Sequence, residues 1–321
     1  MNLQVVSLGL LDPLYTAFGW FMRVLYDAIG NYGLVIIVFT IVLRGLMIPL
    51  GIHQQKSSIK QQALAGEVAE IQRQHPKDKA KQNELQMALY KKHGASPLAG
   101  CLPAILQLII IWPIFQIIKS PLQYIMNISV ANITEIGNFI EPISKDNIKI
   151  IEYLSTHAAT LGTVVNKGLM NLNQLLDLNF IGLNLGLTPT YKPALLFGAD
   201  TLGIYLPLLV FPALAVVTTL IQMKITRLTM PNRKKKAEDK EREKLNPARS
   251  GQTPEDKTEG MMKSMNLIMP VFILFTTFTM PAAMGLYWVI GNVMMILQSV
   301  LIYFMFTRKL DRAAREASQS A

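Results

Sequence analysis

The sequence predicts an all-α polytopic membrane protein with five transmembrane helices and a cytoplasmic helical hairpin. Two observations support this fold class. Hydrophobic residues make up 51% of the 321 residues, yet 31 Lys and Arg residues stand against 21 acidic residues. This combination is typical of a membrane protein whose charges are confined to its loops. In addition, the apolar residues are gathered into long runs that are separated by the charged stretches.

Three of these runs are each long enough to cross a membrane as one helix, which takes about 20 residues. They are residues 33–52, 98–118 and 202–222. The first contains a single charged residue, Arg44, and the other two contain none. We therefore expect them to be the first three transmembrane helices.

A fourth run, residues 267–306, is too long for one span. As a single helix it would measure about 60 Å, about twice the thickness of the hydrocarbon core. The chain must therefore fold back, and Pro281 and Gly285 favour a break between them. This gives span four at residues 267–280 and span five at residues 284–306.

The distribution of basic residues predicts the orientation of the chain. The segment 1–32 and the loop 119–201 together carry six Lys and Arg residues, whereas residues 53–97, 223–266 and 307–321 carry 24. Cytoplasmic loops of membrane proteins are enriched in basic residues. The amino terminus is thus expected outside and the carboxyl terminus in the cytoplasm. No element is predicted for residues 126–176 of the outer loop.

The segment 1–32 contains apolar residues at helical spacing, namely Leu14, Phe18, Phe21 and Leu25. This pattern favours an amphipathic helix. Two placements remain open: the helix lies in the outer membrane interface, or it packs on the spans as an ordinary helix.

Residues 53–97 are expected to form two antiparallel helical arms joined near Pro76 and Asp78. Apolar stripes support the arms: Leu64, Val68 and Ile71 in one, Leu85, Ala88 and Leu89 in the other. Their basic surface is suited to anionic lipid, ribosomal RNA or an incoming chain, or it is simply solvated and fixes the topology. The charged stretch 232–244 mixes signs without an apolar stripe, so no specific nucleic-acid binding is expected.

Arg44 is the residue that most needs an explanation, because an arginine in mid-span costs about 3 kcal/mol on insertion scales. The five predicted spans contain no Asp or Glu that could neutralise it. Polar side chains that could line a hydrated cavity with it are Thr40, Gln107, Thr218, Thr219, Gln222, Asn292 and Gln298. In such a cavity Arg44 would attract negative groups. In the alternative, its side chain extends to the cytoplasmic interface.

Common catalytic motifs are missing from the sequence. It has no HExxH zinc helix, no GxSxG elbow and no Walker A sequence. Cys101 is the single cysteine, so no multi-cysteine metal site exists, and the LAGC sequence that ends on it lacks the preceding signal core of a lipoprotein. We expect no catalytic residues, no metal and no cofactor, and a function driven by binding, partition or the membrane potential.

Four sequence blocks resemble the YidC-type insertases of the Oxa, YidC and Alb group, which help hydrophobic proteins enter membranes. These blocks are VLRGLMIPL at 42–50, YKKHGASPLAGCLPAILQ at 90–107, TTLIQMKI at 218–225 and GLYWVIGN at 285–292. The resemblance implies five helices around a hydrophilic groove that is open to the cytoplasm and to lipid but closed on the outer side. A multi-pass protein of a bacterial plasma membrane and one of an organelle membrane of bacterial descent are both open, and the absence of an apparent transit peptide favours the bacterial membrane.

The resemblance assigns roles to individual residues. Arg44 is similar to the groove arginine, Gln222 to the groove glutamine of span three, and Tyr287 and Trp288 to the aromatic residues along the substrate path. Arg44 would then attract the acidic tail of a nascent membrane protein without ATP, while apolar helices release its hydrophobic segment into lipid. The expected partners are nascent membrane proteins and membrane lipids, with one copy sufficient for function. Participation of the Sec translocon and the ribosome is left open.

Two other classes of function remain. A lone arginine could select anions in a channel or transporter, although the sequence shows neither an inverted repeat nor a ring of like charges. A structural assembly factor for a membrane complex is the other class, and it differs from an insertase mainly in emphasis.

Overall fold

A computed structural model describes residues 11–76, 78–94, 102–229, 268 and 270–308. Several sequence-based predictions lie outside these ranges. They concern the first ten residues, the LAGC sequence, the charged stretch 232–244, most of the loop 223–266 and most of the tail 307–321.

The described chain is mostly helical. Its helices are α1 (Asp12–Ile29), α2 (Tyr32–Leu46), α3 (Ile48–Ala63), α4 (Ala65–Gln74), α5 (Lys79–Lys92), α6 (Leu102–Lys119), α7 (Pro121–Tyr124), α8 (Val130–Gly137), α9 (Asn147–Thr156), α10 (Ala158–Asn166), α11 (Pro193–Leu196), α12 (Leu202–Leu208), α13 (Val210–Thr229), α14 (Pro270–Thr279) and α15 (Ala282–Ile302). A 3-10 turn covers Leu172–Gln174, and a π-helical turn, Tyr303–Thr307, follows α15. Two short antiparallel strands, β1 (Asn179–Phe180) and β2 (Leu183–Asn184), form a hairpin.

Two stretches of the described chain are long and apolar enough to cross a membrane. They are Leu202–Thr226, built from α12 and α13, and Ala282–Met305, which contains α15. A third is counted if α2 and the start of α3 form one span despite a 45° bend between them. Shorter apolar helices cover Ile105–Lys119 and Pro270–Thr279, and both predicted spans to which they belong begin outside the described ranges. The arrangement of five spans therefore stays a prediction.

The chain divides into two compact units that alternate along the sequence. Unit 1 comprises Met1–Leu43, Leu108–Thr218 and Phe272–Asn292, and unit 2 comprises Arg44–Gln107, Thr219–Val271 and Val293–Ala321.

In unit 1, α1 packs through a face of small and aromatic residues. Tyr15, Gly19, Met22 and Tyr26 are buried, one position away from the apolar stripe that the sequence suggests. Gly19 allows this contact, because a Cβ there would lie 2.2 Å from the carbonyl oxygen of Tyr124. Tyr15 stacks on Tyr124 with ring centroids 5.1 Å apart. The helix thus packs on other elements of unit 1, while Trp20 on its opposite face is exposed.

The segment between α6 and α12 is a folded part of unit 1. Its helices α8 and α9 start at well-formed caps, in which Ser129 and Asp146 accept hydrogen bonds from backbone amides. A set of apolar side chains from α7, α8 and α9 is fully buried: Leu122, Ile136, Ile150, Ile151 and Leu154. Residues 126–176, which the sequence leaves unassigned, therefore contain α8, α9, α10 and a share of this core.

The same segment also contacts the start of α15. The amides of Ala282 and Ala283 donate to the carbonyls of Leu187 and Leu185, at 2.8 and 2.9 Å. These bonds satisfy two of the amides that every helix leaves free at its first turn.

In unit 2, α4 and α5 contact each other as a helical hairpin. Leu64 and Val68 are buried, as expected for the first apolar stripe. The second predicted stripe is not buried, since Leu85 and Leu89 are half-buried and Ala88 is exposed. Asp78 is the N-cap residue of α5, where its side chain accepts from the amide of Lys81 at 2.9 Å. Pro76 lies in the turn before this cap.

Candidate functional site

Arg44 lies in the last turn of α2, directly before the bend to α3. Its side chain is buried, with a residue exposure of 6%. Nη1 donates a hydrogen bond to Oε1 of Gln107 at 3.1 Å. The two other nitrogens, Nε and Nη2, are buried and have no hydrogen-bond partner within the described ranges.

Arg44 therefore has two buried hydrogen-bond donors that are unsatisfied among the described residues. Leaving a buried donor unsatisfied costs about 1–3 kcal/mol, and more for a charged group. The ion pairs found among the described residues join other side chains, namely Arg23 with Asp27, Arg73 with Glu70 and Lys81 with Glu84. Because Nε and Nη2 point from one edge of the planar guanidinium, they form a fork that fits a carboxylate or a phosphate.

Gln107 lies on α6 and is the hydrogen-bond partner of Arg44. Its Oε1 accepts the bond from Arg44, while its Nε2 is buried without a partner in the described chain. The Nε2 of Gln54, on α3, is in the same situation. All these unsatisfied atoms of unit 2 are donors, so the groups that would complete them are acceptors, such as water, carboxylate or phosphate.

Gln222, on α13, belongs to unit 2 as well but has a different environment. It is half-buried, and its Nε2 donates to Oγ1 of Thr226 at 3.0 Å. Thr226 in turn lies 3.5 Å from the hydroxyl of Ser299. Among the described residues no hydrogen bond joins Gln222 to Arg44.

The remaining predicted site residues, Thr40, Tyr287 and Trp288, lie in unit 1. Thr40 is fully buried, and its hydroxyl donates to the carbonyl of Ile36 in its own helix at 2.6 Å. Tyr287 and Trp288 are buried neighbours with ring centroids 6.1 Å apart. The indole Nε1 of Trp288 has no hydrogen-bond partner in the part of the chain that the structure describes.

Of the polar residues singled out from the sequence, the structure brings together two pairs. Arg44 bonds to Gln107 in unit 2, and in unit 1 Asn292 donates to Oγ1 of Thr218 at 3.0 Å. Gln54 was not singled out, because its position after the first predicted span assigns it to the hairpin. The sequence feature that indicates Gln54 is an uncharged polar side chain two residues after the predicted end of that span.

The apolar helices carry large exposed side chains, as surfaces in contact with lipid do. Examples on four helices are Leu108 and Trp112, Leu214 and Val217, Val271 and Phe275, and Val293 and Leu297. No group of three or more His, Cys, Asp or Glu side chains suited to a metal ion occurs within the described ranges.

Unit 1 also contains an open cavity of about 210 Å³ in the segment between α6 and α12. Glu152 and Asn184 line it and are joined by a hydrogen bond of 2.9 Å. Burial raises the pKa of the Glu152 carboxyl, although the bond from Asn184 opposes the shift.

Comparison with known proteins gives a family for this chain. The family model described as 60Kd inner membrane protein matches residues 24–309. A membrane protein insertase YidC of Alkalihalophilus pseudofirmus is 27% identical over 286 residues, covering 87% of this chain and 74% of the relative. A protein of the same name from Caldanaerobacter subterraneus is 24% identical over 283 residues, covering 88% of this chain and 90% of the relative.

A shorter match has higher identity. The membrane protein insertase YidC of Campylobacter jejuni is 34% identical over 131 residues, which is 37% of this chain and 25% of that relative. The matched family range contains every predicted site residue, from Thr40 and Arg44 to Tyr287 and Trp288.

Proposed function

The chain belongs to the 60Kd inner membrane protein family, and on this premise we propose that it is an insertase that places other proteins in a bacterial membrane. The observation that supports the proposal is that Arg44 is buried with hydrogen-bond donors left unsatisfied by the described residues. A buried guanidinium with two free donor nitrogens is suited to receive an anionic group that arrives from outside the chain.

The proposed ligand is the acidic, outward-bound tail of a nascent membrane protein. A polar tail is costly to move through hydrocarbon, because its groups lose water without gaining partners. Arg44 would supply a partner part of the way across, through the fork of Nε and Nη2. The apolar segment of the client then enters lipid, and its burial drives the reaction. No ATP, cofactor or covalent step is required in this mechanism.

The residues proposed to act on the client are Arg44, Gln107 and Gln222 in unit 2 and Thr40, Tyr287 and Trp288 in unit 1. Polar groups of the first three would hold water and the client tail. Tyr287 and Trp288 would provide an amphipathic surface along which an apolar helix slides, because aromatic rings tolerate both lipid and polar contacts.

We propose five spans with the boundaries that the sequence predicts and with the carboxyl terminus in the cytoplasm. Contacts within unit 1 support the proposal that the outer ends of spans one, three and five lie at the same depth in the membrane. The segment 179–187 bonds to Asn31 just before α2, contacts α12, and bonds to the first residues of α15. All three helices therefore begin next to one short segment.

The clients are nascent membrane proteins, and lipids surround the exposed apolar helices. We propose that a single copy is active. The Sec translocon and the ribosome are further candidate partners, and the hairpin of α4 and α5 is the element suited to receive a client or to contact them on the cytoplasmic side.

The test is insertion of a single-span client with an acidic outward tail into ATP-free liposomes that contain only this protein. Protease protection of the tail is the readout. Arg44→Ala should reduce protection to that of empty liposomes, and Arg44→Lys should retain most of it because the charge remains. Arg308→Ala is the matched control, since Arg308 is an exposed arginine of the same unit with no role in the proposed mechanism. Insertion by Arg44→Ala at the wild-type level would refute the role of Arg44.

An anion-selective channel or transporter is the competing function, and the same free donors favour it. The liposomes distinguish the two. Chloride flux that depends on Arg44, without protection of any client tail, would replace the insertase proposal by a channel.

A further inference from the structure

The tip of the β-hairpin has an unusual residue for its conformation. Ile181 and Gly182 connect β1 to β2 with φ values of +51° and +76°. Positive φ at both central positions defines a type I′ turn, in which Asn-Gly is preferred. A β-branched residue is strained in the left-handed region, so isoleucine is an unfavourable choice for this turn.

Ile181 is also the most exposed large apolar residue in the described chain, at 84%. In water, neither the strain nor the exposed side chain has a compensating contact. Asparagine would relieve both, because it tolerates positive φ and is polar. The residue is therefore better explained by apolar surroundings at the tip than by the turn itself.

The contacts of the hairpin indicate what these surroundings are. The ring of Phe180 lies directly on Gly33 in the first turn of α2, where an added Cβ would be 2.4 Å from ring atoms. The carbonyl of Asn179 accepts from Asn31 at 2.9 Å. Strand β2 contacts α12.

The residues that follow β2 lie beside the start of another apolar helix, α15. The carbonyls of Leu185 and Leu187 accept the first amides of α15. The hairpin thus lies where three apolar helices begin, and each of these helices belongs to a candidate membrane span. The level at which spans begin is the boundary between water and hydrocarbon.

We propose that Ile181 is a lipid anchor: the hairpin tip inserts it into the outer interface of the bilayer, beside the outer ends of α2 and α12. Exposed apolar side chains at this level support the placement, with Leu34 on α2 and Leu202 and Ile204 on α12. The anchor would hold the outer segment against the membrane. It does not depend on the proposed insertase activity.

The first test uses a single-cysteine protein in which Cys101 is replaced by serine. Ile181→Cys carries an NBD label, and the protein is placed in phosphatidylcholine and phosphatidylglycerol liposomes that contain spin-labelled lipid. The matched control is Ile143→Cys, because Ile143 is an isoleucine of the same outer segment with 71% exposure. We expect blue-shifted emission at 181 and at least threefold stronger quenching than at 143.

Two outcomes would overturn the anchor. Water-like emission and equal quenching at both positions would show that the tip is in solvent. Blue-shifted emission without quenching by spin-labelled lipid would show that protein covers the tip.

A second variant avoids the label. Asparagine suits the turn, so Ile181→Asn should slow hydrogen exchange of the hairpin amides if the tip has only a structural role. If the side chain anchors in lipid, the same variant should accelerate exchange of residues 179–184 in liposomes several-fold. Slower exchange would refute the anchor.

Discussion

Nη1 of Arg44 donates to Oε1 of Gln107 across 3.1 Å, and this bond determines which edge of the guanidinium stays free. The bond occupies Nη1 of the guanidinium, so that Nε and Nη2 remain as a pair of adjacent donors without a partner among the described residues. A carboxylate can accept from both at once, as in other bidentate arginine pairs. Gln107 is in this way a positioning residue for the proposed function, and it leaves the charge of Arg44 uncompensated.

Gln107→Glu should abolish the attraction of Arg44 for acidic clients while leaving Arg44 in place. The new carboxylate would form an ion pair with the guanidinium and neutralise it inside the protein. Charged hydrogen bonds contribute about 1.5–3 kcal/mol, so insertion of an acidic-tailed client should fall by about tenfold to a hundredfold. The rate of tail protection in liposomes measures this.

Gln107→Met is the control for that variant, because methionine has a similar length but adds no charge. It should keep more activity than Gln107→Glu, since Arg44 remains cationic. Equal insertion by wild type and Gln107→Glu would contradict a receptor role for the guanidinium.

Gly285→Ala should destabilise the contact between α13 and α15. A Cβ at residue 285 would lie 2.8 Å from Cβ of Phe211, so one helix must move away. Overpacking of this kind costs about 1–3 kcal/mol. Gly203→Ala, in α12, is the control, because an added Cβ there meets no atom within 4 Å. Thermal unfolding in detergent should show a lower Tm for the first variant only; an unchanged Tm for Gly285→Ala would argue against this close approach.

Much of the helical structure could be predicted from local pattern. Apolar runs alone indicate α6, α13 and α15, and the spacing of Leu64 and Val68 indicates the face that the hairpin buries. The interruption at Met280 and Pro281 follows from the covalent structure of proline, which cannot continue the hydrogen bonding of a helix. Such features depend on neighbours in the sequence.

Other features could not be predicted because they depend on distant residues. The buried face of α1 is set by Gly19, whose lack of a side chain allows contact with Tyr124. The segment between α6 and α12 is held by bonds such as that from Asn132 to the carbonyl of Leu169. The sequence offers Gln107 as one of several polar residues in the spans that could line a cavity with Arg44, but only the packing of α6 identifies it as the hydrogen-bond partner.

Asn292 and Thr218 should be energetically coupled across α13 and α15. Nδ2 of Asn292 donates to Oγ1 of Thr218 at 3.0 Å, and both belong to predicted spans. Hydrogen bonds between membrane helices contribute about 0.6 kcal/mol on average, up to about 1.7. A double-mutant cycle with Asn292→Leu and Thr218→Val, followed by unfolding in detergent, should give a coupling free energy in this range. Strictly additive effects would show that the bond contributes nothing to stability.

Glu152→Gln should change how stability depends on pH. Burial raises the pKa of the Glu152 carboxyl above its ordinary value of 4.5. The folded state then binds more protons than the unfolded state in the window above 4.5, so stability falls as the pH rises through that window. Glutamine carries no charge, and its Oε1 can still accept the bond from Asn184.

The variant and wild type should therefore have similar Tm values at pH 4.5, and the variant should be the more stable protein at pH 8. Glu135→Gln serves as the control, because Glu135 is an exposed carboxylate of the same segment between α6 and α12. Its Tm should follow that of wild type at both pH values. A Glu152→Gln protein that loses stability at pH 8 would show that the ionised carboxylate makes a favourable contact, and that its burial does not oppose folding.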